Sequence, residues 1–393
     1  MSKIQKNNNK NPKRLTSFYF LGLLLAISSA LPAYIQSNFL GQFMDIKTVS
    51  LFFIIANVFS VAAILLFPGL IKKLTNYFLT KIVLALYLTS LLGLSLATGP
   101  NLALISIILF SITSNLIWIN MDISIENLST NELTGKIRTI YFTFINAGWI
   151  ISPFLTTYLI NRGEYTLSFL VAAFLIIPLF LIIIYQGRGT EDKIKYKKES
   201  LLNTLKKMWK NKNLRGIFFI TFLLQLFYSS AVIYIPIYLF QNLSMGWDVL
   251  GIIFSVMLIP FILIEIPAGI IADKYLGEKE LLFAGFIILI ITLLSFYYIR
   301  SSTMWLWLIV LFLSRVGAAL VESMKETYFF KIVDVEDVGC INLFRAALPL
   351  AYIAGAGVAI LTLSFFPLNY LFLFLAIIML SGLGFTYSIK DTK

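Results

Sequence analysis

Twelve stretches of this chain stay apolar for about 20 residues or more, at about 17–40, 49–71, 78–98, 102–126, 138–161, 165–186, 214–241, 248–271, 280–299, 303–331, 341–364 and 366–389. A helix rises ~1.5 Å per residue and the hydrocarbon core of a bilayer is ~30 Å thick, so each stretch can cross once. Inside lipid every backbone N–H and C=O must find a partner within the protein, which restricts such stretches to helices. The predicted fold class is an all-α membrane protein with twelve transmembrane helices. Composition agrees, because 59% hydrophobic residues, 13% charged residues and a mean hydropathy of +0.89 leave 393 residues too little polar surface for a soluble protein.

Several chemistries are removed at once. The single cysteine, Cys340, excludes an intramolecular disulfide, and the absence of histidine removes imidazole metal sites and imidazole acid–base work. No metal and no cofactor are expected, and any proton handling falls to carboxylates. The formal charge of +12 lies between the apolar stretches rather than along one face or among stacking aromatics, so it describes topology and not a nucleic-acid partner.

Residues 1–16 are polar and basic and read as a disordered tail. The Ser28-Ser29-Ala30-Leu31-Pro32-Ala33 stretch resembles the end of a signal peptide, a reading the repeat below argues against. Between the sixth and seventh stretches lies a basic linker, 187–213, whose Leu201-Leu202-Asn203-Thr204-Leu205-Lys206-Lys207-Met208-Trp209-Lys210 segment predicts an amphipathic surface helix with Leu201, Leu202, Leu205, Met208 and Trp209 on its apolar side. Residues 390–393 form a short tail. With the N-terminus inside, 25 Lys and Arg fall on the cytoplasmic side and only Lys47, Arg162 and Arg300 on the other, so both termini are expected in the cytoplasm of a cell with this protein in its plasma or inner membrane.

The chain repeats. Pro32-x-Tyr34-Ile35-x-x-Asn38 in the first stretch and Pro236-x-Tyr238-Leu239-x-x-Asn242 in the seventh match at an offset of 204, and Glu132-x-x-Gly135-x-Ile137 matches Glu336-x-x-Gly339-x-Ile341 at the same offset. The second copy lies mid-chain, where no signal peptidase acts, so the first is read as a retained helix. Two pseudo-symmetric six-helix halves follow, 17–186 and 214–389.

Between the eighth and ninth stretches the chain reads Glu265-Ile-Pro-Ala-Gly269-Ile-Ile-Ala-Asp273-Lys274-Tyr-Leu-Gly277-Glu-Lys279-Glu280. Read mechanically, Pro267-Ala268-Gly269 forms a turn, Gly269 lets two helices approach, Asp273 fixes one negative charge, Gly277 turns the chain, and Lys274 and Lys279 hold the segment on the inner side. The plainer alternative is an ordinary basic loop. The segment resembles the loop signature G-x-x-x-D-[RK]-x-G-[RK]-[RK] of the major facilitator superfamily, with Leu276 as an extra residue and Glu278 where a base is common. In the first half, Lys73 occupies the place of the loop acid. The resemblance covers about Ser17 to Tyr387 and implies the fold of that superfamily, with transport by alternating access between the halves.

Polar residues inside the apolar stretches mark where function should sit. Arg315 lies about halfway along the tenth, with Asn57, Asn115, Asn146 and Gln225 near the same depth and Tyr34 and Tyr228 as aromatic neighbours. A cation at mid-bilayer costs at least ~2.5 kcal/mol on insertion scales, and no acid lies within one turn of Arg315, so it needs a partner from another helix, water or an anionic ligand. Each amide serves either as a ligand or as an interhelical hydrogen bond worth roughly 0.6 kcal/mol. Arg315, Asn115, Gln225, Asn57, Asn146 and Tyr34 are the candidate substrate residues. Asp122, Glu265 and Glu322, in the inner third of their helices, are the candidates for coupling to an ion. Asn115, Asp122 and Glu126 share the spacing of Arg315, Glu322 and Glu326 at an offset of 200, each set on one helix face. The resemblance also implies that Glu265, Asp273, Glu322, Lys325, Glu326 and Arg345 gather at the inner end as a charge latch, the alternative being independent snorkelling charges.

The reading is a secondary active transporter of a small solute, embedded in the lipid bilayer and expected as a monomer. No phosphate-binding loop is present, so coupling is to protons or sodium, or absent. Arg315 favours an anionic or multiply hydroxylated cargo, while the aromatic content fits a drug-type proton antiporter equally. A transporter-like sensor or assembly partner remains open. A multispan membrane enzyme is disfavoured, because the outer connections are only a few residues long and histidine is absent.

Overall fold

The computed structural model describes residues 12–128, 134–186, 201–333 and 338–390. The helices are α1 (Pro12–Ala33), α2 (Gln36–Leu40), α3 (Ile46–Lys73), α4 (Asn76–Ser95), α5 (Pro100–Leu128), α6 (Thr134–Gln186), α7 (Leu201–Lys210), α8 (Lys212–Ile237), α9 (Trp247–Val256), α10 (Ile259–Lys274), α11 (Glu278–Tyr298), α12 (Met304–Ile332), α13 (Val338–Phe365) and α14 (Tyr370–Ser388). Among the described residues, twelve segments are long and apolar enough to cross a membrane, each within a few residues of a predicted stretch.

The irregularities have local causes. The first span breaks at Tyr34-Ile35, just after Pro32, whose ring removes one ladder hydrogen bond. The eighth breaks at Met257-Leu258, just before Pro260. At the repeat position of the seventh, Pro236 precedes a π-helical stretch, Tyr238–Asn242. The fifth and sixth spans, 140–162 and 164–185, form one hydrogen-bonded run in α6, and Glu164, at a φ of 54°, marks their junction.

Within the first six spans α1 packs on α6, α4 on α5 and α6, and α3 on α5; within the last six, α11 packs on α12 and α14, and α8 on α12 and α14. Two main seams join these groups, α3 against α13 and α6 against α9. The six-span repeat exchanges the members of the two seams, the second span with the eighth and the fifth with the eleventh, so one interface is built twice.

Close helix approach occurs at Gly285 on α11 and Gly317 on α12. A Cβ on Gly317 would lie 2.9 Å from the Gly285 carbonyl oxygen, and one on Gly285 would lie 2.9 Å from the Gly317 carbonyl oxygen. Small residues at such crossings permit the backbone contact that drives helix association in lipid. Gly317→Val is therefore expected to lower stability by about 1–3 kcal/mol through forced helix separation; an unchanged thermal unfolding curve in detergent would refute this.

Two expectations are corrected. Pro267, Ala268 and Gly269 form no turn but lie inside α10, which runs on to Lys274. A Cβ on Gly269 would meet nothing within 4 Å among the described residues, so none of the described helices makes a close approach there. The amphipathic helix is present as α7, with Thr204 and Met208 buried against the bundle and Leu205 and Trp209 exposed. Thr204 packs against Gly339 at the start of α13. Residues 1–11, most of the linker (187–200) and residues 391–393 lie outside the described residues.

Candidate functional site

Arg315 is eleven residues into α12, about 17 Å along it. It is only 2% exposed. Its Nη1 donates to Ser314 Oγ at 3.3 Å, and its guanidinium carbon stands 5.3 Å from the centre of the Phe227 ring on α8. Tyr34, at the break after α1, interacts with Arg315 side chain to side chain, and the hydroxyls of Tyr228 on α8 and Tyr352 on α13 are within its electrostatic reach. Helices from both groups of six thus converge on one cation. Among the described residues no carboxylate forms an ion pair with it.

Tyr34 is held in place by stacking on Phe254 of α9, with ring centres 5.0 Å apart, and by an edge contact to Trp149 of α6 at 6.4 Å. Sequence reasoning missed Phe227, Phe254, Trp149 and Tyr352. Each sits in an apolar stretch among other aromatics, and only the packing of α6, α8, α9 and α13 directs them to this point.

Toward the termini, α12 carries a second charged layer. Lys325 is 1% exposed and lies 2.9 Å from both Glu322 Oε1 and Glu326 Oε1. Arg345 of α13 grips Glu326 with two hydrogen bonds, of 2.9 and 3.3 Å. Glu265 of α10 faces the same group, interacting with Glu322, Lys325 and Glu326. Tyr228 is a neighbour of both Arg315 and Glu322 and its hydroxyl faces Glu322, while among the described residues neither that hydroxyl nor Glu322 Oε2, both buried, has a hydrogen bond of good geometry. Buried polar atoms without partners are rare, because each costs about 1–3 kcal/mol.

Of the expected inner cluster, Glu265, Glu322, Lys325, Glu326 and Arg345 lie together, and among the described residues its ion pairs stay within α12 or join α12 to α13, with none bridging to the first six spans. Glu278, at the start of α11, pairs with Lys331 at the end of α12, an ion pair the sequence did not suggest. Lys274 is exposed at the end of α10, and Gly277 is the N-cap residue of α11 in extended backbone. The side chains of Asp122, Glu126 and Asp273 lie outside the described residues.

The amides divide. Asn57, 3% exposed, donates to Phe53 O at 2.8 Å, and Asn115 donates to Ser111 O at 2.8 Å, so each bonds within its own helix. Asn146 and Gln225 are half-buried and make no hydrogen bond among the described residues. Asn120 on α5, absent from the sequence-based candidates, is fully buried, and neither amide atom is bonded among the described residues.

The end away from the termini is closed. Ser50 Oγ and the Tyr234 hydroxyl lie 2.8 Å apart, Gln241 Nε2 donates to Asn38 Oδ1 at 3.1 Å, and Thr157 Oγ1 donates to Trp247 O at 2.9 Å. On the termini side of Tyr34 and Arg315, no hydrogen bond or ion pair between described residues joins the first six spans to the last six. At roughly 0.6 kcal/mol per interhelical bond, the double variant Tyr234→Phe, Gln241→Ala should shift the balance toward opening at this end about sevenfold. Labelling of a cysteine placed at Tyr34, in a Cys340→Ser background, from that side should rise accordingly; an unchanged rate would contradict a closure held by these bonds.

Twelve spans, two exchanged seams, a polar layer at mid-depth and closure at one end define a multi-pass membrane transporter. The Major Facilitator Superfamily model matches residues 15–254 and 217–392, and the chain belongs to that family, one of secondary transporters rather than enzymes. In fold it is similar to the crystal structure of a POT family transporter in complex with 5-aminolevulinic acid, with a TM-score of 0.78 and 12% sequence identity over 98% of this chain and 96% of that one. No curated protein matches the sequence significantly.

Proposed function

We propose that this protein moves a small carboxylate- or phosphate-bearing solute by alternating access, with Arg315 as the anion-binding group and the Glu265–Glu322 pair as the carrier of a coupling proton. The observation that carries the reading is Arg315 itself, a buried cation at the junction of both groups of helices with no acidic partner among the described residues. A guanidinium in low dielectric without a counter-ion is costly, and a planar fork of donors matches carboxylate or phosphate oxygens in two places. Tyr34, Tyr228 and Tyr352 supply hydroxyls around it, and half-buried Asn146 and Gln225 add amides for the rest of a polar solute.

Glu265 and Glu322 face one ammonium, Lys325, whose second partner is Glu326. A coupling proton would bind one of these two carboxylates. That proton would leave Lys325 free to redistribute between Glu322 and Glu326 as the site empties. With the far end closed, the arrangement corresponds to the state that exchanges cargo on the termini side, which the distribution of bases puts in the cytoplasm. The similar POT family structure binds 5-aminolevulinic acid, a molecule with a carboxylate at one end, which fits an Arg315-centred site. A thermal-shift screen of the purified protein tests the reading: small carboxylates or phosphate esters should raise the melting temperature, and their uncharged amide or alcohol analogues should not. Stabilisation by hydrophobic cations alone would overturn it in favour of a drug-type antiporter.

A further inference from the structure

A cavity of about 430 Å³ opens on the outside of the bundle at the termini side, lined by Lys212, Arg215 and Gly216 of α8 and by Ser381, Gly384, Phe385 and Ser388 of α14. The lining positions recur at three- and four-residue steps on both helices, so the cavity is a groove running along one face of each. It stays open because its floor is small. A Cβ on Gly384 would meet nothing within 4 Å, while at Gly216 it would lie 2.4 Å from Ile389 Cγ2, where the helices close together. At the mouth stand two cations. Lys212 is exposed and Arg215 half-buried, and neither forms an ion pair among the described residues. Arg215 Nη1 donates to Trp209 O at 3.4 Å, which tethers the guanidinium at the mouth, with Trp209 itself 63% exposed. Deeper in, the wall is apolar: Phe385 stacks on Phe219 with ring centres 4.8 Å apart. The groove is therefore cationic at its mouth, with Ser388 beside the two bases, and mostly apolar deeper in, where the Ser381 hydroxyl is turned to the Ile378 carbonyl oxygen of its own helix.

We propose that this groove binds an anionic glycerophospholipid of the leaflet on the termini side, its phosphate between Lys212, Arg215 and Ser388 and an acyl chain along Gly384 and Phe385. Charge complementarity selects an anionic head. Basic pockets between spans at a membrane surface take lipid phosphates, each Lys or Arg adding about 1 kcal/mol, or about fivefold in affinity. The apolar floor selects a lipid over a free anion, because a soluble phosphate would leave it empty. A bound lipid would brace α8, which carries Tyr228 and Phe227, against α14.

Phosphatidylglycerol added to the detergent-purified full chain should raise its melting temperature more than phosphatidylcholine does. Lys212→Gln with Arg215→Gln should lose the difference, and Gly384→Leu, which fills the floor without touching a charge, should lose it too. Native mass spectrometry of the wild type and of Lys212→Gln alone should show retained phosphatidylglycerol falling about fivefold, which keeps the test decisive if a double variant fails to fold. Equal effects of phosphatidylglycerol on wild type and every variant would overturn the site, and an equal shift by inorganic phosphate would overturn the lipid assignment.

Discussion

Arg315→Lys is expected to weaken cargo binding at least about tenfold while leaving the melting temperature nearly unchanged. The ammonium keeps the charge but loses the planar fork, and the difference between two-point and one-point recognition of a carboxylate or phosphate is of that order. Arg315→Met should abolish binding. Its effect on stability separates a ligand-binding cation from a structural one. Removing half of a buried ion pair strands the other half and typically costs 3–5 kcal/mol, but no described carboxylate is paired with Arg315, so the methionine variant should unfold at the same temperature or higher. Isothermal titration with the best small carboxylate from the screen, alongside thermal unfolding of both variants, gives the result. Unchanged affinity in Arg315→Lys together with a sharply destabilised Arg315→Met would remove Arg315 from cargo recognition.

Glu322→Gln is expected to abolish accumulation of cargo against its gradient in proteoliposomes while sparing exchange of labelled for unlabelled cargo. Exchange requires only that the loaded carrier reorient, whereas net driven uptake requires the empty carrier to return with its proton balance changed. Glutamine mimics the protonated carboxyl permanently, and Lys325 keeps Glu326 at 2.9 Å, so folding should survive. Glu265→Gln should give a milder form of the same defect, because Glu265 approaches the cluster from α10 and makes no ion pair within salt-bridge distance among the described residues. If both variants, and the double variant, still concentrate cargo under an imposed pH gradient, the proton is carried elsewhere or the transport is uncoupled.

The one-dimensional pattern carried a great deal here because the membrane imposes it. A span must be about 20 apolar residues whatever it packs against, so number, length and order of the helices were legible locally. The P-x-Y-[IL]-x-x-N repeat announced two similar sets of six, and a lone arginine in an apolar stretch stood out by its cost. Inside lipid, however, apolar surface does not drive helices together, and association rests on close packing and a few polar contacts that leave little trace in hydropathy. Hence Pro32-x-Tyr34 and Pro236-x-Tyr238 look alike but diverge in use. Tyr34 reaches Arg315, whereas the Tyr238 hydroxyl donates to the Ile299 carbonyl oxygen at 3.1 Å. Asn57 and Asn115 looked like cavity amides, and each also gives one N–H to a carbonyl of its own helix, a local bond that hydropathy does not reveal. Gly269 was expected at a helix contact and faces open space, while the backbone approach lies at Gly285 and Gly317. The sequence by itself determined what crosses the membrane and that a buried cation must find a partner. That Arg345 and Glu265 join the Lys325 cluster, which tyrosines surround Arg315 and which end of the bundle is shut were decided by tertiary structure, because each depends on side chains brought together from helices far apart in the chain.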